Sequence, residues 1–149
     1  MTGSLQQHAT RLSFLCAGFI VSILVYAAVL HLVPLPRTAP FAQANHLLWV
    51  LVVITALNLV TLTPVQRAML AGPLRVYAVS QDLEALLRAH LVSHVVLYAR
   101  IEAIVVFGLA LYFLTGRSDW FWAFAAVAAA GMVLLWPTPQ RVRSTLGLA

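Results

Sequence analysis

The sequence predicts an all-α integral membrane protein, a single domain built as a bundle of four transmembrane helices with both termini in the cytoplasm. Hydrophobic residues fill 62% of the 149 positions and charged residues only 9%, whereas charged residues make up roughly a quarter of an ordinary soluble domain. The mean hydropathy is +0.95. A soluble globule of about 150 residues leaves about 30% of its unfolded-chain surface in water, so it could not cover this much apolar side chain.

A proline-rich connection separates the first two predicted spans. A helix needs about 20 mainly apolar residues to cross the hydrocarbon core, and the first such run covers residues 12–33. Pro34, Pro36 and Pro40 follow it and predict an extended connection, because proline cannot continue a helix. The second apolar run covers residues 47–63.

A cleaved signal peptide is the alternative interpretation of the first run. Ala42-Gln43-Ala44 has the small-x-small form of a cleavage site. The apolar run is, however, longer than the roughly 7 to 15 residues of a signal core. We therefore expect this run to be a membrane span.

The third and fourth spans are predicted at residues 91–115 and 120–136, the latter with a tryptophan at each end, as is typical of interfacial belts. The segment from Ser80 to Glu84 predicts a helix start, with serine or aspartate as the cap and acids in the first turn, and the helix should continue into the third span and stop at Gly116. The longest soluble loop is expected from Pro64 toward this helix.

The distribution of arginine predicts the orientation of the chain. All nine basic residues are arginine. Only Arg37 and Arg117 fall in the first and third loops, whereas six lie in the two tails and the second loop: Arg11, Arg67, Arg75, Arg88, Arg141 and Arg143. The positive-inside rule therefore puts both termini in the cytoplasm, and we expect the bacterial inner membrane. A nucleic-acid-binding function is excluded, because these arginines flank apolar spans instead of sharing one soluble face.

Two pairs of small residues predict close helix packing in the fourth span. Ala125 with Ala129, and Ala126 with Ala130, are each four residues apart, a spacing that lets a neighbouring backbone approach.

Arg100 and Glu102 are the most informative residues, because a charge near the bilayer centre costs roughly 2.5 to 3.5 kcal/mol even on a lenient scale. Two residues apart on a helix, they point in different directions and cannot simply neutralise each other. Glu102 lies about 21 Å along the helix from Gly116. Thr61 lies at the same depth in the second span and Asn58 one turn farther out, so these two residues are the expected hydrogen-bond partners.

His90, His94, Tyr98 and Glu102 recur every four residues and form one stripe, here called the polar seam. One interpretation is a proton path, in which the imidazoles pass protons to a carboxylate that burial makes easier to protonate. The other is structural, with the histidines at the interface and Glu102 hydrogen-bonded inside the bundle. We favour the structural interpretation.

No cofactor or metal is expected. Cys16 is the single cysteine, which excludes an intrachain disulfide and any multi-cysteine metal site. A haem held by two histidines within one chain is disfavoured, because His31 and His46 are predicted at the outer interface and His90 and His94 near the inner one.

The segment Glu102-Ala-Ile-Val-Val-Phe107-Gly108-Leu109 resembles the carboxylate-bearing helix of the proteolipid (c) subunits of rotary ATPases, in which a glutamate is followed five residues later by an aromatic-Gly-Leu sequence. Duplicated members of that family are four-span chains of about this mass. The resemblance implies that Glu102 is reversibly protonated. Unlike in that family, the second span contains no glycine, and the carboxylate lies on the third span.

The favoured function is therefore a non-catalytic accessory or structural subunit of a larger bacterial inner-membrane assembly, such as an energy-transducing one. Its partners would be other membrane subunits, the lipid bilayer or further copies of the chain. An enzyme is not expected, because the sequence has no hydrolase motif, no phosphate-binding loop and only four scattered acids. The alternative is a proteolipid-like proton-translocating protein that acts through Glu102. A transporter is disfavoured, since four spans leave little room for a midplane cavity.

Overall fold

The computed structural model describes residues 2–33 and 43–147, with side chains from Leu5 onward in those ranges. Within these ranges every regular element is a helix. The elements are α1 (Thr2–Leu32), α2 (Ala44–Val60), α3 (Leu62–Ser80), α4 (Leu83–Thr115), α5 (Ser118–Leu134) and α6 (Pro139–Leu146). The predicted extended connection through Pro34, Pro36 and Pro40 lies outside the described residues.

Two helical segments are long and apolar enough to cross a membrane by themselves: Leu5–Leu32 of α1 and the whole of α4. The number of candidate spans rises to four only if each of two bent helix pairs is counted as one span. The α2–α3 pair bends by 41° and the α5–α6 pair by 77°. The described chain therefore contains two to four candidate spans, and the prediction of an all-helical protein with apolar membrane-length helices is confirmed.

The prediction of a loop that starts at Pro64 is wrong, because Leu62–Ser80 forms helix α3. Pro64 is the third residue of that helix, where a backbone N–H has no partner within the helix and a proline costs little. The chain instead breaks at Thr61, whose carbonyl accepts from the N–H of Val65 at 3.0 Å. Proline therefore accompanies a bend between two helices here, and does not end the helical region.

Helix α4 begins and ends where its capping residues predict. The Asp82 carboxylate caps the N-terminus by accepting from the N–H of Ala85 at 3.0 Å. Gly116 closes the C-terminus with φ +70°, a left-handed conformation that glycine adopts without strain. The 33 residues between them extend about 50 Å, and α4 contacts α1, α2, α3 and α5. It is the central helix of the described fold.

The closest approach between α4 and α5 occurs at Gly108. A Cβ atom added there would lie 2.9 Å from Phe124 Cβ and 3.0 Å from Phe121 Cα. Real Cβ atoms do not approach other atoms so closely, so only glycine fits at this crossing.

The alanine pairs of the fourth span are only partly in the interface. Ala125 and Ala128 are buried and Ala129 is half-buried, whereas Ala126 and Ala130 are exposed. The prediction that Ala126 and Ala130 mediate close packing is wrong, because α5 turns its other face toward α4.

The C-terminal tail contains the short amphipathic helix α6. Val142 and Leu146 are buried on one side of it, in a cluster with Leu5, Leu12 and Leu86. Helix α6 therefore packs against the N-terminal part of α1 and the start of α4.

Candidate functional site at the polar residues of α4

Arg100 connects α4 to the bend between α2 and α3. Its Nε donates to Asn58 Oδ1 at 2.7 Å, and its Nη2 donates to Thr61 Oγ1 at 2.6 Å and to the Asn58 carbonyl at 3.3 Å. Asn58 Nδ2 in turn donates to the Arg100 carbonyl at 2.7 Å. Asn58 and Thr61 are the partners expected from their depth in the second span, and Arg100 donates hydrogen bonds to both of them.

Glu102 faces α1 instead. Its Oε1 accepts a hydrogen bond from the Tyr26 hydroxyl at 3.0 Å. The carboxylate is half-buried and lies in an open groove of about 360 Å³, whose other lining residues come from α1. They are Phe14, Leu15, Gly18, Phe19 and Ser22. Glu102 therefore meets a polar group of another helix, in a groove that is otherwise mostly apolar.

Arg100 and Glu102 have only uncharged partners within the described residues. The ion pairs found there are Arg88 with Glu84 and Arg117 with Asp119, and all four of these side chains are exposed. Such surface pairs contribute little to stability. Arg100 and Glu102 thus each have hydrogen-bond partners but no partner of opposite charge among the described residues.

The first three members of the polar seam are buried side by side in α4. His90 and Tyr98 are fully buried and His94 is 9% exposed. The ring centroids of His90 and His94 are 4.3 Å apart, and those of His94 and Tyr98 are 5.8 Å apart. His94 Nδ1 donates to the His90 carbonyl at 3.2 Å, and the Tyr98 hydroxyl donates to the Leu135 carbonyl at 3.3 Å. The predicted stripe faces protein along these positions.

His8 joins this group from α1 and was missed by the sequence analysis. Its Nε2 lies 3.1 Å from Nδ1 of His90, a hydrogen bond between two buried imidazoles. His8 also lines an open cleft of about 600 Å³. The sequence contains no spacing signal for this contact, because it arises only when α1 extends to Thr2 and packs beside α4.

A small cavity lies on the other side of His90. It measures about 180 Å³ and is lined by His90, His94, Gln66, Arg141 and Thr145, with apolar neighbours from the end of α5. The Nε2 atom of His90 is buried and has no hydrogen-bond partner among the described residues. The cavity is polar and large enough for ordered water.

No group of three histidine, cysteine or acidic side chains in the described ranges is arranged to hold a metal ion. The His90 ring lies between those of His8 and His94, with ring centroids 5.3 Å and 4.3 Å away. The arrangement can form hydrogen bonds and could relay protons between imidazoles.

No protein-family model matches the chain, and comparison with curated proteins and with solved structures yields no similar protein.

We expect His8→Phe to weaken the contact between α1 and α4. The substitution keeps an aromatic ring but leaves Nδ1 of His90 buried without a partner, which costs about 1 to 3 kcal/mol. The measurement is the free energy of unfolding in mixed detergent micelles. His31→Phe, at the other end of α1, is the matched control and should change this free energy little; an equal loss in both variants would contradict the role of the His8–His90 bond.

Proposed function

We propose that the protein is a non-catalytic integral membrane subunit of a larger assembly in the bacterial inner membrane, with four spans and both termini in the cytoplasm. The observation that carries the proposal is the position of Arg100 and Glu102. Each is half-buried in α4, and neither has a partner of opposite charge among the described residues. Charges at such depth are costly, and a neighbouring subunit would supply the missing counter-charges.

The exposed apolar side chains support the same proposal. Leu24 is 63% exposed, Val60 76% and Leu134 69%. In water this surface would drive association or aggregation, whereas lipid or other membrane subunits would cover it.

The proposed topology predicts the signals of reporter fusions. A fusion at Arg143 should give a cytoplasmic signal, and a fusion inserted between Pro34 and Gln43 should give an external one, because six arginines lie on the side of the tails and the second loop. Paired phosphatase and fluorescent-protein reporters measure this directly. The reverse pattern would overturn the orientation.

Native purification tests whether the chain belongs to a larger assembly. The tagged chain is extracted from its own membrane in a mild detergent and separated on a native gel, and the co-migrating proteins are identified by mass spectrometry. The proposal predicts other integral membrane proteins in fixed stoichiometry, and their loss in an Arg100→Gln, Glu102→Gln double variant that still inserts. A chain that migrates without any other protein would contradict the proposal.

The second candidate function is proton translocation through Glu102. It is favoured by the separation of Glu102 from Arg100, which face different helices, so that the arginine does not hold the carboxylate in a direct ion pair. His8 and His90 would extend such a path, since they lie between an open cleft and a polar cavity. This function requires Glu102 to change its charge during each cycle.

A further inference from the structure

Helix α4 carries an exposed face that lies between Arg100 and Glu102. Successive residues of a helix are about 100° apart, so Arg100 and Glu102 are separated by about 160° along the shorter arc. Six side chains on this arc lie outside the hydrophobic core clusters and are exposed or half-buried: Val92, Val95, Ala99, Ala103, Val106 and Ala110. Phe107, near the Arg100 edge of the arc, instead packs against the core.

The arc has a positive edge and a negative edge. Arg100 forms the edge next to α2, where Asn58 and Thr61 hold it, and Glu102 forms the edge next to α1, where Tyr26 holds it. The two residues differ in height by only about 3 Å along the helix.

Each of the two charged groups has one polar atom that forms no hydrogen bond within the described residues. Arg100 uses Nε and Nη2, and Glu102 uses Oε1. Over the described ranges, Nη1 of Arg100 and Oε2 of Glu102 have no hydrogen-bond partner, and neither atom is enclosed by the protein. Both groups can therefore take a further partner of opposite charge without losing the bonds that position them.

We infer that two copies of this chain pack in parallel through the exposed face of α4 and form two reciprocal ion pairs between Arg100 and Glu102. A two-fold axis along the membrane normal sets the two faces against each other and brings the positive edge of one copy beside the negative edge of the other. Rotation about this axis preserves depth, so both pairs meet at the level where the charges already lie. A partner of different sequence would need the opposite charges at the same depth and spacing, whereas a second copy has them by symmetry.

The side chains between the two edges permit the close approach that the ion pairs require. Ala99 and Ala103 are four residues apart, and small side chains at this spacing allow membrane helices to approach. In low-dielectric surroundings the paired charges attract more strongly than they would in water. The inference deepens the proposed function, since it identifies the subunit that supplies the counter-charges as a second copy of the chain. A dimer that migrates without any other protein would support the inference and contradict the proposed larger assembly.

A charge-swap experiment tests this dimer. Arg100→Glu makes both edges negative, and Glu102→Arg makes both positive. For each variant alone, the ratio of dimer to monomer at a fixed protein-to-lipid ratio should therefore fall at least tenfold. Co-expression of the two variants with different tags should restore a mixed dimer, because each then supplies the charges that the other needs. The readout is pull-down of one tag with the other, together with the mass of the detergent-solubilised species.

Cysteine cross-linking gives a result that does not depend on how the charge variants fold. In a Cys16→Ala background, Ala103→Cys and Ala110→Cys should form disulfide-linked dimers in the native membrane, and Val53→Cys, on the exposed side of α2, should not. Ala110→Leu should abolish the dimer without unfolding the chain. A monomeric wild-type chain, equal cross-linking at Val53, or a ladder of larger oligomers through Ala103 would overturn the inference.

Discussion

Gly108→Ala should destabilise the contact between α4 and α5 more than the addition of one methyl group ordinarily does. The new Cβ would lie 2.9 Å from Phe124 Cβ and 3.0 Å from the backbone of Phe121. Backbone atoms cannot rotate away, so the two helices must separate. Overpacking of this kind costs about 1 to 3 kcal/mol, which exceeds the gain of up to about 1 kcal/mol from replacing glycine inside a helix. Gly108→Leu should cost more and reduce the yield of inserted protein.

Gly131 is the matched control, because it lies on α5 in the same region of contact. A Cβ added at Gly131 would meet only the side chain of Ile101, at 3.6 to 3.9 Å, which is ordinary van der Waals contact. Gly131→Ala should therefore leave the free energy of unfolding unchanged or raise it by up to about 1 kcal/mol. Thermal and detergent-induced unfolding of the purified variants measure both effects. If Gly108→Ala is as stable as Gly131→Ala, the described approach of α4 and α5 is wrong.

Asn58→Leu should be among the most damaging substitutions in α2, although it replaces a polar residue by an apolar one in an apolar helix. It removes the acceptor for Nε of Arg100 and the donor to the Arg100 carbonyl. The half-buried guanidinium is then left with fewer hydrogen-bond partners. We expect a loss of about 2 to 3 kcal/mol in the free energy of unfolding, as for hydrogen bonds to charged groups.

Two further variants separate this effect from the general consequence of changing α2. Thr55 is buried one turn away, and its hydroxyl has no partner among the described residues, so Thr55→Val should be neutral or stabilising. The double variant Asn58→Leu, Arg100→Leu removes the charge together with its partner and should recover part of the loss. If the double variant is less stable than Asn58→Leu, Arg100 has a role beyond its contact with Asn58.

Features set by local sequence were predictable. Asp82 and Gly116 mark the ends of α4 because capping depends on a few neighbouring residues. The depth of Asn58 and Thr61 could be counted along the helices, and this was sufficient to assign them to Arg100 or Glu102. The stripe from His90 to Glu102 followed from helical spacing alone.

Features set by helix rotation and packing were not predictable. Tyr26 and His8 lie on α1, and their contacts depend on which face of α1 meets α4. The face of α5 that meets α4 could not be predicted either. Lipid and protein interior are equally apolar, so the sequence of α5 shows no periodic pattern of apolar and polar residues. The prediction of a loop at Pro64 failed for a different reason. The effect of a proline depends on whether it occupies the first turn of a helix or the helix interior.

We expect Glu102 to have a structural role, and carbodiimide labelling of the reconstituted protein tests this claim. Dicyclohexylcarbodiimide reacts with protonated carboxyl groups in the membrane, so a Glu102 that keeps its charge, with the Tyr26 hydroxyl as hydrogen-bond donor and a counter-charge from a neighbouring subunit, should label poorly at neutral pH. Glu102→Gln should then leave proton permeability unchanged and at most weaken assembly. Strong labelling of Glu102 at neutral pH, together with a proton leak that the Glu102→Gln variant lacks, would contradict the claim and establish proton translocation instead.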